Sequence, residues 1–149
     1  MGDYEVLTAA ARPYLSTVLA RALGEGLPVT GTEMLDGGPA ADLEAETEGW
    51  IELDQEAVAH RYGAKVFDLT VYWDALSGWH IQAERPGSPD GDLYRWMGAG
   101  LVPAPERVTT FIATMLVDYT MTGSEERPFY RRVRQEVPSL TQRLRPYGS

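Results

Sequence analysis

Apolar and polar residues alternate between residues 65 and 84, and this period of two predicts a β-hairpin. The inward positions are Phe67, Leu69, Val71 and Trp73 on the first strand and Trp79, Ile81 and Ala83 on the second. Because the apolar faces of paired strands must coincide, Trp73 should lie opposite Trp79. This register places Tyr72 beside His80 on the other face of the hairpin.

Shorter segments of the same kind predict strands at residues 28–34, 50–53 and 93–97. In the second of these segments, Ile51 and Leu53 are the inward positions. Residues typical of turns separate the segments, so each strand should pair with its neighbour in the chain. The pattern predicts an antiparallel meander of three to five strands.

Two segments have apolar residues at the three- and four-residue spacing of an amphipathic helix. The apolar positions of the first are Tyr14, Leu15, Val18, Leu19, Ala22 and Leu23. This helix should start near Arg12, because Pro13 suits a first turn, and residues 3–10 would form a separate turn before it. The second helix follows Pro105 and should end at Gly123, and its apolar stripe comprises Val108, Phe111, Ile112, Met115, Leu116 and Tyr119. Helices that cover one face of an antiparallel sheet define an α+β fold.

The chain of 149 residues has the length of one domain. We assign residues 1–123 to a single α+β domain and residues 124–149 to a basic tail. Pro128 and Pro138 divide this tail into short helical pieces. Its apolar residues should pack against the body or against a partner.

Charge is distributed unevenly along the chain, whose net charge is −9. Residues 33–56 carry nine carboxylates and no Lys or Arg, whereas residues 127–149 carry six arginines. The acidic segment includes a loop through Thr47 that we expect to have little order. An acidic body with a basic tail suggests an interaction tail or self-association between opposite patches, although two solvated surfaces would produce the same pattern and are the commoner situation.

Composition excludes several kinds of chemistry. The chain has no cysteine, which rules out disulfides, thiolate metal sites and a cysteine nucleophile. The N-terminus lacks the pattern of a signal peptide and the most apolar run is too short to span a bilayer, so we expect a soluble cytoplasmic protein without a membrane partner. His60 and His80 are the only histidines and lack the spacing of metal ligands, so we expect no metal and no cofactor.

One group of residues could support catalysis or ligand binding. In the predicted register His80 lies beside Tyr72, and Asp68 on the same face could orient its imidazole for acid–base work. The alternative to an interaction function is therefore a small-molecule or enzymatic pocket between the sheet and the helices, lined by Tyr72, His80, Tyr94 and Trp96. An exposed strand histidine is the commoner situation, so enzymatic activity is not the leading interpretation.

The leading hypothesis is a non-enzymatic interaction or regulatory module that binds a protein partner or a second copy of itself. Aromatic residues support this hypothesis, because one sheet face should carry a patch rimmed by acidic residues and formed by Trp50, Tyr72, Tyr94 and Trp96. The tail should supply the partner-binding residues Phe129, Tyr130, Arg131, Arg132, Val133 and Arg134.

A third hypothesis is a DNA-associated regulator that uses Arg127, Arg131, Arg132 and Arg134. The net charge of −9 opposes it, because the long-range field of the protein would repel DNA before the tail could bind. We therefore do not expect a nucleic-acid partner.

Short motifs along the predicted domain resemble those of a known family. They are Arg12-Pro13-Tyr14, Gly78-Trp79-His80 and Trp96-Met97-Gly98-Ala99-Gly100-Leu101-Val102-Pro103-Ala104-Pro105-Glu106-Arg107-Val108. These motifs are similar to those of a family of small uncharacterised actinomycete proteins, a domain of unknown function, over roughly residues 10–118. The resemblance implies a bacterial cytoplasmic protein and brings no catalytic residues with it.

Overall fold

The hydrophobic pattern produces helices and strands in nearly the predicted order. The computed structural model describes residues 3–35, 47–132 and 135–148. Within them the order is α1 (Asp3–Gly24), β1 (Val29–Leu35), β2 (Glu48–Leu53), α2 (Gln55–Tyr62), β3 (Asp68–Asp74), β4 (Gly78–Glu84), β5 (Leu93–Trp96), α3 (Pro105–Val117) and α4 (Val137–Leu144). Short 3₁₀ helices follow α2, α3 and α4 at Gly63–Lys65, Tyr119–Met121 and Arg145–Gly148. The predicted α+β class is confirmed, and most of the predicted acidic loop lies outside the described residues.

The five strands form one antiparallel sheet in the order β1-β2-β3-β4-β5, which confirms the predicted meander. The hairpin of β3 and β4 has the predicted register, with Trp73 opposite Trp79. Asp74 closes the turn between these strands, because its Oδ1 atom accepts hydrogen bonds from the backbone N–H groups of Leu76 and Ser77. A single carboxylate therefore organises the turn that joins the two central strands.

The helices pack on one face of the sheet, and the core lies between the two layers. Tyr14 of α1 is fully buried beside the rings of Trp73 and Trp79. The Trp73 indole N–H donates to the Leu101 carbonyl at 2.7 Å, and the Trp79 indole N–H donates to the Tyr14 hydroxyl at 3.1 Å. The Tyr14 hydroxyl donates in turn to the Pro103 carbonyl at 2.5 Å. Large rings thus fill this interface while their polar atoms remain hydrogen-bonded.

α1 continues without interruption through Pro13, so the predicted start near Arg12 is wrong. A proline inside a helix removes one backbone hydrogen bond and costs about 3 kcal/mol. Burial on both sides of the proline offsets this cost, since Leu7 and Ala11 before it and Val18 after it are fully buried. Tertiary packing therefore joins two segments that the sequence pattern separates.

Two apolar residues that were predicted to face the core are exposed. Phe67 is 73% exposed, because it lies at a bend before β3, where side-chain alternation does not apply. Val66 takes the buried position at this bend. Leu23 is also exposed, in the last turn of α1, where Ala22 is the residue that faces the core.

α3 ends at Val117 and does not reach the predicted stop at Gly123. Asp118 ends it by adopting extended backbone, and its side chain accepts a hydrogen bond from the backbone N–H of Thr120. The chain then forms a short 3₁₀ helix, in which Tyr119 still packs against the core. A local side-chain cap thus overrides the apolar periodicity.

The C-terminal residues belong to the same core. α4 packs against α1, and its Leu140 and Leu144 are fully buried. Just beyond α4, the ring centroid of Tyr147 lies 4.9 Å from the ring centroid of Tyr14. These contacts explain how a short basic helix, predicted for the tail, is stable in spite of its length.

Candidate functional site

The face of the sheet opposite the helices carries a row of aromatic rings. Trp50 on β2 pairs with Tyr72 on β3, Tyr72 pairs with His80 on β4, and His80 pairs with Trp96 on β5. Because directly paired residues of antiparallel strands point to the same face, the four side chains stand side by side. We call these four residues the aromatic row and the face that carries them the outer face.

The rings of the aromatic row contact one another in order. Ring centroids are 6.3 Å apart for Trp50 and Tyr72, 5.2 Å for Tyr72 and His80, and 4.0 Å for His80 and Trp96. His80 and Trp96 are buried, with 8% and 7% of their surfaces exposed, whereas Trp50 and Tyr72 are half-buried. The row therefore has a closed end at Trp96 and an open end at Trp50.

Arg127 covers the closed end of the row. Its guanidinium carbon lies 5.2 Å from the centroid of the Trp96 ring and 4.6 Å from that of Phe129. Its Nη2 atom lies 3.6 Å from a carboxylate oxygen of the buried Asp74, and its Nε–H donates to the Ser77 hydroxyl at 2.9 Å. The cation thus contacts two rings and one carboxylate, a combination that suits a planar guanidinium.

This cation belongs to residues 124–132, which we call the C-terminal strap. Ser124 pairs with Trp96 through two backbone hydrogen bonds of 2.6 and 2.9 Å, which attach the strap to the edge of β5. Farther along, the Arg131 guanidinium is buried and donates to the Ala75 carbonyl at 2.8 Å. The strap is therefore anchored at both the edge of the sheet and the turn between β3 and β4.

His80 is a neutral member of the row. Burial, and to a smaller extent the positive charge of Arg127, lowers the pKa of its imidazole from 6.5 to about 3. Among the described residues, none forms a hydrogen bond with its Nδ1 atom. Such a weak base is poorly suited to proton transfer near neutral pH.

Carboxylates flank Trp50 at the open end of the row. The indole N–H donates to Oε1 of Glu52 at 3.4 Å. Glu33 on β1 pairs directly with Trp50, so that these two side chains share the outer face. Because Glu33 and Glu52 are both exposed, the half-buried indole lies next to two solvated negative charges.

The surroundings of Tyr72 are also negative. Burial raises the pKa of its phenol, the charge of Asp68 raises it further, and a hydrogen bond with Thr70 lowers it. Smaller contributions from Glu48 and Glu84 also raise this pKa. Each carboxylate raises the pKa because it would repel the phenolate, so the electrostatic potential at the open end is negative.

The predicted pocket between the sheet and the helices is wrong in its location. Tyr72, His80 and Trp96 do come together, but on the outer face. The reason is side-chain alternation: Trp73 and Trp79 fill the inner face, which turns their neighbours outward. The interface that was expected to hold a ligand is occupied by the core.

Two other predicted site residues lie apart from the row. Asp68 does not orient His80, because it pairs with Glu84 whereas His80 pairs with Tyr72, and its carboxylate accepts hydrogen bonds from the Thr70 hydroxyl at 3.3 Å. Tyr94 on β5 is exposed, and its hydroxyl accepts a hydrogen bond from the amide of Gln82 at 3.2 Å. Neither residue completes a catalytic arrangement around the imidazole.

The predicted partner-binding residues of the tail differ in accessibility. Phe129, Tyr130 and Arg132 are exposed. Arg131 is only 6% exposed because its guanidinium supports the turn before β4, so its assignment to a partner surface is wrong. Val133 and Arg134 lie outside the described residues.

Nothing in the sequence indicates that Arg127 covers Trp96, and this contact was missed. The two residues are far apart in the chain and are joined only when Ser124 pairs with β5. The general basicity of the tail was the one available signal, and it led to the prediction that the tail binds a partner or a second copy of the chain. In the structure, Arg127 instead lies beside the carboxylate of Asp74 and over the Trp96 ring of the aromatic row.

The rest of the described chain has fewer features of a functional site. A cleft of about 570 Å³ beside β5 is lined by Arg85, Asp90, Asp92, Leu93, Tyr94, Arg95, Thr120 and Glu125. Both arginines of this cleft are hydrogen-bonded to backbone carbonyls of the fold.

Residues 3–35, 47–132 and 135–148 contain no cluster of three or more potential metal ligands. In the same ranges, no helix combines the length and hydrophobicity needed to cross a membrane.

Comparison with known proteins identifies a family but no activity. The model of a family described as of unknown function (DUF6292) matches residues 14–114. No curated protein and no solved structure matches the chain. The matched range extends from within α1 into α3 and contains the complete aromatic row, whereas the C-terminal strap follows it.

Proposed function

Because the chain belongs to the DUF6292 family, whose function is unknown, we propose from the geometry that it is a non-enzymatic interaction module. Its outer face binds a basic segment of a partner protein. The observation that carries this proposal is the aromatic row, which crosses four strands on the face that the helices leave uncovered and has carboxylates around its open end.

The chemistry of the row supports binding better than catalysis. The lowered pKa of His80 removes its use as a base near neutral pH, and its neighbours are rings and a cation. Partly exposed tryptophan and tyrosine rings are the residues that contribute most often to protein interfaces. At the open end of the row, Trp50 and Tyr72 have this exposure.

The charge of the outer face determines the kind of partner. Its paired positions hold the carboxylates of Glu33, Glu48, Glu52, Asp68 and Glu84. Such a surface attracts cationic segments and repels acidic ones, which raises the association rate of the correct partner. A basic segment therefore complements both the charge and the exposed rings. A reducing compartment such as the cytoplasm would suit this cysteine-free chain.

The proposal is tested by titrating the full chain with a labelled peptide in which lysine and arginine alternate with serine. Fluorescence anisotropy at low salt should show saturable binding that weakens as salt is added. Glu52→Lys on the outer face should weaken binding roughly three- to tenfold, since it removes an attraction and adds a repulsion. Glu5→Lys on α1 is the matched control with the same change of net charge and should have little effect.

Equal losses in Glu52→Lys and Glu5→Lys would show that only net charge matters, and no binding by the wild type would end the proposal. Light scattering of the protein alone precedes the titration. A dimer that dissociates in salt would identify a second copy as the source of the basic segment, because Arg132, Arg143 and Arg145 are exposed on the same chain.

A further inference from the structure

We propose, on the basis of the proposed function, that the outer face selects arginine within the basic segment of its partner. The open end of the aromatic row, formed by Trp50 and Tyr72, is the subsite for the guanidinium group. The occupant is an arginine side chain of another protein, and the outer face distinguishes it from lysine.

The first support is an arginine already bound at the other end of the same row. Arg127 lies against the Trp96 ring, with its guanidinium carbon 5.2 Å from the ring centroid, and its Nη2 atom is 3.6 Å from the Asp74 carboxylate. The fold thus contains one working example of a guanidinium held by a row ring and an acid. This example is intramolecular, and it closes only one end of the row.

The second support is that the open end repeats these components. The ring centroids of Trp50 and Tyr72 lie 6.3 Å apart, the rings are inclined by 58°, and both residues are half-buried. Glu52 accepts a hydrogen bond from the Trp50 indole, and Glu33 is the direct neighbour of Trp50 on β1. Ring faces and carboxylates therefore adjoin here as they do around Arg127.

The physical difference between the two cations favours arginine. A guanidinium is planar and weakly hydrated, so it can lie flat on an indole while its N–H groups reach a carboxylate. A lysine ammonium is compact and strongly hydrated, and it gains less from the same surface. An exposed cation–π contact of this kind corresponds to about a two- to fivefold difference in affinity.

The test measures how tightly two short peptides of equal length bind to the full chain labelled with 5-fluorotryptophan. One peptide has arginine at every cationic position, and the other has lysine at the same positions. Fluorine NMR gives one resonance for each of the four tryptophans. The arginine peptide should bind about two- to fivefold tighter and shift the Trp50 resonance, while those of the buried Trp73 and Trp79 stay unchanged. Trp50→Leu should reduce the arginine preference to near one, whereas Tyr94→Leu, on the same face but outside the row, should retain it.

The outcomes separate the two proposals. Binding of neither peptide would overturn the interaction function itself. Equal binding of both peptides would leave that function standing and overturn the arginine subsite, as would a shift of the Trp96 resonance without one at Trp50. The comparison of peptides on the unaltered chain decides the question even if Trp50→Leu fails to fold.

Discussion

Replacing Tyr14 by phenylalanine tests the polar link between α1, the sheet and the start of α3. The substitution keeps the ring that packs beside Trp73, Trp79 and Tyr147 and removes only the hydroxyl. That hydroxyl accepts the hydrogen bond of the Trp79 indole and donates to the Pro103 carbonyl. Burial of this network raises the pKa of the Tyr14 phenol, so the group stays protonated and can donate at any ordinary pH.

The magnitude follows from the two partners that lose their contacts. Each unpaired buried donor or acceptor costs about 1–3 kcal/mol, so we expect Tyr14→Phe, which leaves two such groups unpaired, to lower the free energy of unfolding by about 2–6 kcal/mol. This is a large part of the roughly 5–15 kcal/mol that stabilises a typical domain. With a urea m-value of about 2 kcal/mol/M, the middle of the usual range, the unfolding midpoint should fall by about 1–3 M.

Urea denaturation followed by circular dichroism measures this change. The matched control is Tyr94→Phe, which removes a hydroxyl from an exposed tyrosine and should change stability by less than about 0.5 kcal/mol. If Tyr14→Phe unfolds at the wild-type midpoint with the wild-type m-value, the buried hydroxyl does not hold these elements together and the reasoning fails.

Two further predictions concern the core and the pH dependence of stability. Phe111→Ala should lower the free energy of unfolding by about 3–5 kcal/mol, because the Phe111 ring on α3 is buried in the core. Thr110→Ala, on the exposed side of the same helix, should change the free energy of unfolding by less than about 0.5 kcal/mol. Equal urea midpoints for the two variants would contradict this packing. The pKa of His80 is lowered to about 3 in the folded state, so between pH 6.5 and about 3 the unfolded chain binds a proton that the folded imidazole does not. His80→Phe should therefore gain stability relative to the wild type as the pH falls below 6.5, by at most about 1.4 kcal/mol per pH unit. If the stability difference between His80→Phe and the wild type is the same at pH 7 and pH 5, the wild type does not bury a neutral histidine.

Local periodicity predicted the sheet because side-chain alternation acts between neighbouring residues. The register that places Trp73 opposite Trp79 follows from the need to join two apolar faces, and it also places Tyr72 beside His80. The composition of the outer face, aromatic in the middle and acidic around it, was therefore predictable. So was the start of α3, because Pro105 suits a first helical turn.

The sequence pattern failed wherever a distant contact outweighs a local preference. Pro13 favours a helix start, yet α1 continues through it because its neighbours on both sides are buried. Phe67 continues the apolar alternation, yet a bend before β3 leaves it exposed. For Pro13 the deciding free energy comes from packing against residues far away in the chain, whereas at Phe67 the bend places the neighbouring Val66 in the core instead.

The candidate site shows the same division. The sequence by itself determined which aromatic residues share a face, since strand alternation requires only local order and the pairing of adjacent strands. Only the tertiary structure decided that Arg127 closes one end of the row. This contact depends on how the C-terminal strap packs on the sheet, and a contact between such distant segments leaves no periodic signal in the chain.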